Sequence, residues 1–164
     1  MKASRMNNVK IADKFGYYYS PSIRYKNIHC INDFLTDEQI VGLYKKSDVF
    51  VYPTWGEGFG LQPLEALAMG IPVICTVEWA DYKKYVPFQV DSILSANPWP
   101  EIHQGYMLKP NKESLKEQML KSVDTYKEVI KETFKKSFDI HEEYDWLKVT
   151  QPAIKRLNQI YKNT

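Results

Sequence analysis

The segment 49–76, VFVYPTWGEGFGLQPLEALAMGIPVICT, restricts the fold open to this chain more than any other. It begins with a continuous β-branched and aromatic run over 49–53 closed by Pro53, the pattern of a strand buried on both faces of a parallel sheet. Leu61, Leu64, Leu67 and Ala68 then recur at helical spacing, and Gly70 with Pro72 supplies the stop signal. A further apolar strand follows over 72–76. Strand, helix and strand in so short a space predict an α/β fold.

The flanks extend the same alternation. Residues 28–31 form a short apolar run ended by Asn32 and Asp33, and Thr36 with Gln39 then writes a capping box before Ile40, Leu43 and Tyr44. Downstream, the sequence predicts a helical turn near 79–86 and short strands near 92–96 and 106–110. Ser114 with Glu117 reads as a capping box opening one long amphipathic helix through Leu115, Met119, Val123, Ile130 and Phe134. A final helix is expected from about residue 145, through Trp146, Val149, Leu157 and Ile160 and bent or broken at Pro152. One helix is expected in the first 25 residues. The whole, 1–164, reads as a single domain: a Rossmann-like parallel sheet with helices on both faces.

Composition narrows the partners. With 22 Lys plus Arg against 20 Asp plus Glu the net charge is +2, which does not point to nucleic acid. Cys30 and Cys75 each sit in an apolar run, the setting of reduced core thiols in a cytoplasmic protein. No stretch approaches the roughly 20 apolar residues of a membrane span. The Lys-rich face of KEVIKETFKK leaves a membrane surface open as a partner, although its interleaved glutamates favour a solvated face.

The turn 54–60 leaves a strand at its carboxyl end, where open α/β sheets bind ligands. Gly58 and Gly60 permit backbone angles or close approaches that a Cβ would forbid. With a helix starting near Gly60, Pro63 falls in its first turn, and the amides near Leu61 and Gln62 are left as orphan donors at the positive end of the helix dipole. That is an anion site, most simply one for phosphate. Glu57 precedes the helix, and Glu65 lies one turn above Leu61 with its side chain tilted back toward the start. Both carboxylates converge on one pocket and, being acceptors that repel a diphosphate, call for hydroxyl partners. A nucleotide sugar carries phosphate between two sets of hydroxyls. The plain alternative is a tight strand-to-helix turn with two solvated acids.

The run Glu57-Gly58-Phe59-Gly60-Leu61-Gln62-Pro63-Leu64-Glu65-Ala66-Leu67-Ala68-Met69-Gly70-Ile71-Pro72-Val73-Ile74 closely resembles the signature of the retaining glycosyltransferases of family 4, and the resemblance extends over 27–76. It implies the second, donor-binding domain of a two-domain enzyme of GT-B type. On the matching positions it implies that Glu57 is the candidate catalytic residue in contact with the transferred sugar. The amides of Phe59 and Gly60, next to Gly58, would meet the sugar hydroxyls, those of Leu61 and Gln62 the diphosphate, and Glu65 the ribose. It also implies transfer with retention, a nucleotide-diphospho-sugar donor, no cofactor and no obligatory metal. The acceptor, whether sugar, lipid or protein, would sit on an N-terminal domain or partner subunit. A non-catalytic nucleotide-sugar-binding or interaction module of the same fold is the alternative.

One departure matters. From Ser47 to Tyr82 there is no Lys or Arg, against Asp48, Glu57, Glu65, Glu78 and Asp81. A helix terminus contributes about 0.3 to 2 kcal/mol per charge, short of the ~8 kcal/mol of micromolar binding. Cations must come from elsewhere, and Arg5, Lys10, Lys14, Arg24 and Lys26 upstream read as surface charges. The chain alone is therefore expected to bind donor weakly. His29, His103 and His141 have no metal-ligand spacing, and no nucleophile triad stands out. Trp55 and Phe59 flank the turn, as packing residues or as the lining of a sugar or base pocket.

Overall fold

The structure, a computed structural model, describes residues 11–12, 18–19, 23–31, 34–98, 100–101 and 104–162. The chain divides into two compact units, Met1–Gly42 and Leu43–Thr164. The first contains two antiparallel hairpins: β1 (Ile11–Ala12) pairs with β2 (Tyr18–Tyr19), and β3 (Ile23–Tyr25) with β4 (Ile28–Cys30). The helix expected in the first 25 residues falls largely outside the described residues, of which 11–12, 18–19 and 23–25 are extended. The tyrosines and isoleucines there favour extended pairing. Cys30 is corrected, since β4 is exposed throughout and its thiol is free at the surface, whereas that of Cys75 is free and buried. In a two-stranded ribbon an apolar run does not imply a core. Thr36 and Gln39 do form the reciprocal box that opens α1 (Asp37–Lys45): the Thr36 N–H donates to Gln39 Oε1 at 2.8 Å and the Gln39 N–H to Thr36 Oγ1 at 3.4 Å.

The second unit is built on a parallel sheet of order β5-β6-β7, from β5 (Phe50–Tyr52), β6 (Val73–Thr76) and β7 (Phe88–Val90). β7 has little signal of its own in the sequence, being three residues with Gln89 in the middle. Central β6 is buried along its length. Its alternate residues enter different cores, as a pleated strand requires. Val73 and Cys75 join Leu64, Leu67 and Ile140 on one face, while Ile74 joins Phe88, Val90, Leu115 and Val129 on the other. Helices thus cover both faces, as expected. β5 departs from expectation: among the described residues it lies at an edge of the sheet, and Val51 stays 39% exposed.

The linking helix α2 (Leu61–Ala68) buries Pro63, Leu64, Ala66 and Leu67. It ends in a Schellman pair, Gly70 N–H to Leu67 O at 2.9 Å and Ile71 N–H to Ala66 O at 2.9 Å, with Gly70 at φ +76°. A 3₁₀ turn, Asp81–Tyr85, follows β6, and an antiparallel hairpin of β8 (Ser92–Ala96) and β9 (Tyr106–Pro110) follows β7.

The C-terminal part holds α3 (Lys112–Asp124), α4 (Tyr126–Glu143) and α5 (Trp146–Lys162). Three expectations are corrected here. The cap of α3 is Asn111, whose Oδ1 accepts from the N–H groups of Glu113 and Ser114 at 2.9 and 3.1 Å. Ser114 lies inside the helix, and its hydroxyl accepts instead from the Asp91 N–H at 3.0 Å. The long helix is two helices, divided at Thr125, whose Oγ1 donates to Lys121 O at 2.9 Å. Of the bend or break expected at Pro152, the break is absent: α5 runs through that residue as one helix, the proline forfeiting one backbone bond.

Asn111→Ala should lower the stability of the chain by ~1 kcal/mol in urea unfolding. Glu117→Ala, which a cap at Ser114 would make costly, should stay within about 0.5 kcal/mol of the parent.

Candidate functional site

The carboxyl ends of the parallel strands gather three segments around the glycine-rich loop. The Thr76 hydroxyl at the end of β6 donates to Thr54 O at 2.7 Å. The Leu108 N–H of β9 donates to Trp55 O at 2.8 Å, and Lys109 sets its ammonium 5.9 Å from the centroid of the Trp55 ring. Glu78, just beyond β6, accepts from the N–H groups of Val77 and Ser92, each at 3.2 Å. Burial works to raise the Glu78 pKa, but these hydrogen bonds hold the carboxyl below its ordinary range. Within the loop, Thr54 Oγ1 lies 3.0 Å from Gly56 O and accepts from the Gly56 N–H at 3.3 Å.

Gly60 is the buried N-cap of α2, in the left-handed region at φ +75° and ψ +65°. A Cβ built there would stand 2.4 Å from the Trp79 ring and 2.6 Å from the Tyr82 hydroxyl. That hydroxyl donates to Gly60 O at 2.6 Å. No side chain caps the helix start. The first amides of α2 have no intrahelical acceptor, and Leu61 and Gln62 are both exposed. The helix begins where the sequence puts it, with Pro63 in its first turn.

Both acids of the motif are held by tyrosines. Tyr52 donates to Glu57 Oε1 at 2.5 Å, and Thr54 Oγ1 lies 3.4 Å from the same oxygen. Tyr44 places its hydroxyl 3.3 Å from Glu65 Oε2 and 3.2 Å from Gln62 O. The tyrosines belong to one aromatic row: Tyr44 meets Phe50 edge-on with centroids 5.6 Å apart, and Phe50 stacks on Tyr52 at 5.7 Å. Burial, and then the neighbouring carboxylate, pushes each phenol up to about 12. Gly58 is exposed, and Phe59 sets its ring edge-on to Tyr82 and Tyr144 at 5.8 and 6.1 Å while remaining 42% exposed.

Residue patterns alone had not marked Tyr44, Tyr52, Trp79, Tyr82 or Lys109 for this site. The signal available was the high tyrosine count, 12 in 164 residues, and the period-two placing of Phe50 and Tyr52 on one face of β5. A hollow of about 540 Å³ lies elsewhere; Lys45, Lys46, Tyr126, Lys131 and Phe134 are among the residues that line it, and neither Glu57 nor Glu65 does. Among the described residues no three His, Cys, Asp or Glu side chains cluster as metal ligands, and no helix is long and apolar enough to cross a membrane. His103 and the upstream cations Arg5, Lys10 and Lys14 lie outside the described residues.

Residues 25–129 match the sequence profile of the group 1 glycosyl transferases. O-antigen chain mannosyltransferase B of Escherichia coli is 46% identical over 43 residues, 26% of this chain and 11% of that protein. Serotype-specific mannosyltransferase WbdA of the same organism is 37% identical over 62 residues, 38% of this chain and 7% of the relative. Lipopolysaccharide core biosynthesis mannosyltransferase LpsB of Rhizobium meliloti is 58% identical over 33 residues, 20% of this chain and 9% of the relative. The chain spans only a small part of the length of these curated relatives. No solved structure matches it.

Two outcomes follow from the geometry. Gly60→Ala should destabilise the unit by about 1 to 3 kcal/mol in urea unfolding, through left-handed strain and displacement of Trp79. The phenols of Tyr44 and Tyr52 hold their protons more tightly in the folded chain than the ordinary value of 10.0. Their contribution is complete below the unfolded value, so unfolding free energy measured against pH should fall as the pH rises from 10.0 to about 12.

Proposed function

The chain belongs to the group 1 glycosyl transferases, and on that premise we propose that it is the donor-binding part of a sugar-transferring enzyme whose donor is a nucleoside diphospho-sugar. The diphosphate lies against the uncapped start of α2, on the amides of Leu61 and Gln62. Glu65, one turn into the helix, takes the ribose hydroxyls. Glu57, with the amides of Phe59 and Gly60, takes the hydroxyls of the sugar to be transferred. The observation that carries this reading is the pair of acids, one before and one after a helix start that no side chain caps, each held by a tyrosine hydroxyl.

The resemblance of the motif to family 4 further supports transfer with retention of configuration and without an obligatory metal. Leaving-group charge is then met by helix amides and by basic side chains, of which Lys109 is brought to the loop by β9. The acceptor, a sugar, a lipid or a protein, is held by another domain or by a partner subunit. The three relatives are mannosyltransferases by name, which makes mannose the first sugar to try. Because the segment Ser47–Tyr82 carries five acids and no Lys or Arg, the chain alone binds donor weakly and transfers little.

The test is calorimetric titration of the chain with UDP-, GDP- and ADP-mannose, beside Glu65→Gln. One nucleotide should bind, and Glu65→Gln should weaken it about tenfold, or ~1.4 kcal/mol. Absence of binding by all three, or unchanged affinity in the variant, would overturn the assignment of the site.

A further inference from the structure

The hydroxyls on Glu57 and Glu65 come from a single row of rings. Tyr44 stands near the end of α1, and Phe50 and Tyr52 stand two residues apart on β5. Phe50 touches both tyrosines, one edge-on and one stacked, so the spacing of the two hydroxyls is set by a rigid aromatic spacer. Resting on the reading above, we propose that Tyr44 and Tyr52 are positioning residues of the donor site, which order the two carboxylates before the donor binds.

Both glutamates are exposed. A free glutamate loses rotamer entropy on being ordered. A hydroxyl that orders it beforehand spares the donor that cost. Each tyrosine engages one carboxylate oxygen and leaves the other open to sugar hydroxyls.

The two supports differ in kind. The bond from Tyr52 to Glu57, at 2.5 Å, is short and charge-assisted, and Thr54 stands by the same oxygen. Glu57 is thus fixed in advance. Tyr44 has one proton for two acceptors, Glu65 Oε2 at 3.3 Å and Gln62 O at 3.2 Å. When ribose hydroxyls donate to Glu65, that proton moves to the Gln62 carbonyl and no donor is stranded. Tyr44 therefore stays tied to α2 in both states, through Glu65 before the donor binds and through the Gln62 carbonyl afterwards.

The experiment has a donor-free arm and a donor arm. In the first, tyrosine Cζ resonances of the labelled chain are followed through alkaline pH. Glu57→Gln should lower the midpoint of Tyr52 and leave Tyr44 in place, and Glu65→Gln should lower that of Tyr44. If neither midpoint moves, the contacts are absent in solution and the proposal fails.

In the second arm, the nucleotide mannose bound by the parent is titrated into Tyr52→Phe and Tyr44→Phe, which keep the aromatic row. Urea unfolding establishes that each variant is folded. Affinity should fall about three- to tenfold in Tyr52→Phe and less in Tyr44→Phe. Weakening by Glu65→Gln with full affinity in both phenylalanine variants would sink this proposal and leave the donor site standing. No effect of Glu65→Gln would instead remove the site itself, and the positioning role with it.

Discussion

The start of α2 depends on Gly60, and the site depends on the start of α2. In the left-handed region, with Trp79 and Tyr82 closed over its α-carbon, this residue tolerates no side chain. A serine, threonine or aspartate as N-cap would have satisfied one of the first amides from within. Glycine turns the chain and leaves those amides facing outward. The contact that closes the turn comes from beyond β6, as does the hydroxyl of Tyr82 on the Gly60 carbonyl. Thr76, at the tip of β6, holds the Thr54 carbonyl on the other side of the loop. The loop is therefore shaped by the strand that follows it in sequence, and it cannot take this form before β5 and β6 are paired.

Much of this was legible because it is local. The helix from Leu61 to Ala68, its glycine stop, the box of Thr36 and Gln39 and the strands around α2 are written within a few residues of where they act. What was not legible depends on partners far along the chain. Asn111 outcompetes Ser114 as a cap because the Ser114 hydroxyl is recruited by the amide of Asp91, 23 residues earlier in the chain, between β7 and β8. β7 is a strand because β6 offers it an edge, a partner that its own three residues do not announce. The positions of Glu57 and Glu65 follow from the motif. The rings that hold them do not, since Tyr44 reads as one more residue of an apolar helix stripe.

The charge pattern gives the tyrosines their significance. A stretch with five acids and no Lys or Arg has no internal cation with which to orient a carboxylate. Neutral hydroxyls do that work here for Glu57 and Glu65, and backbone amides do it for Glu78. Neither kind of donor cancels the negative charge it holds. On the proposed function the diphosphate still needs positive charge, and the fold supplies a first instalment from outside the motif, through Lys109 of the β8–β9 hairpin beside Trp55. The hairpin is attached at two points of the carboxyl edge, Leu108 to Trp55 and Ser92 to Glu78, so the lysine is placed by backbone pairing rather than by its own flexible stem.

A phenol is also a particular choice of donor. Histidine would change its charge between about pH 5 and 8 and take the geometry of the site with it. A lysine would hold a carboxylate more strongly but neutralise it, and would compete for it with the hydroxyls of a sugar. Burial and the nearby carboxylates push the phenols of Tyr44 and Tyr52 up to about 12, so both remain protonated donors throughout the physiological range. The two hydrogen bonds to the acids consequently keep their phenol donors across that range. On the proposed function, the two phenols therefore add no pH dependence of their own to donor binding in that range.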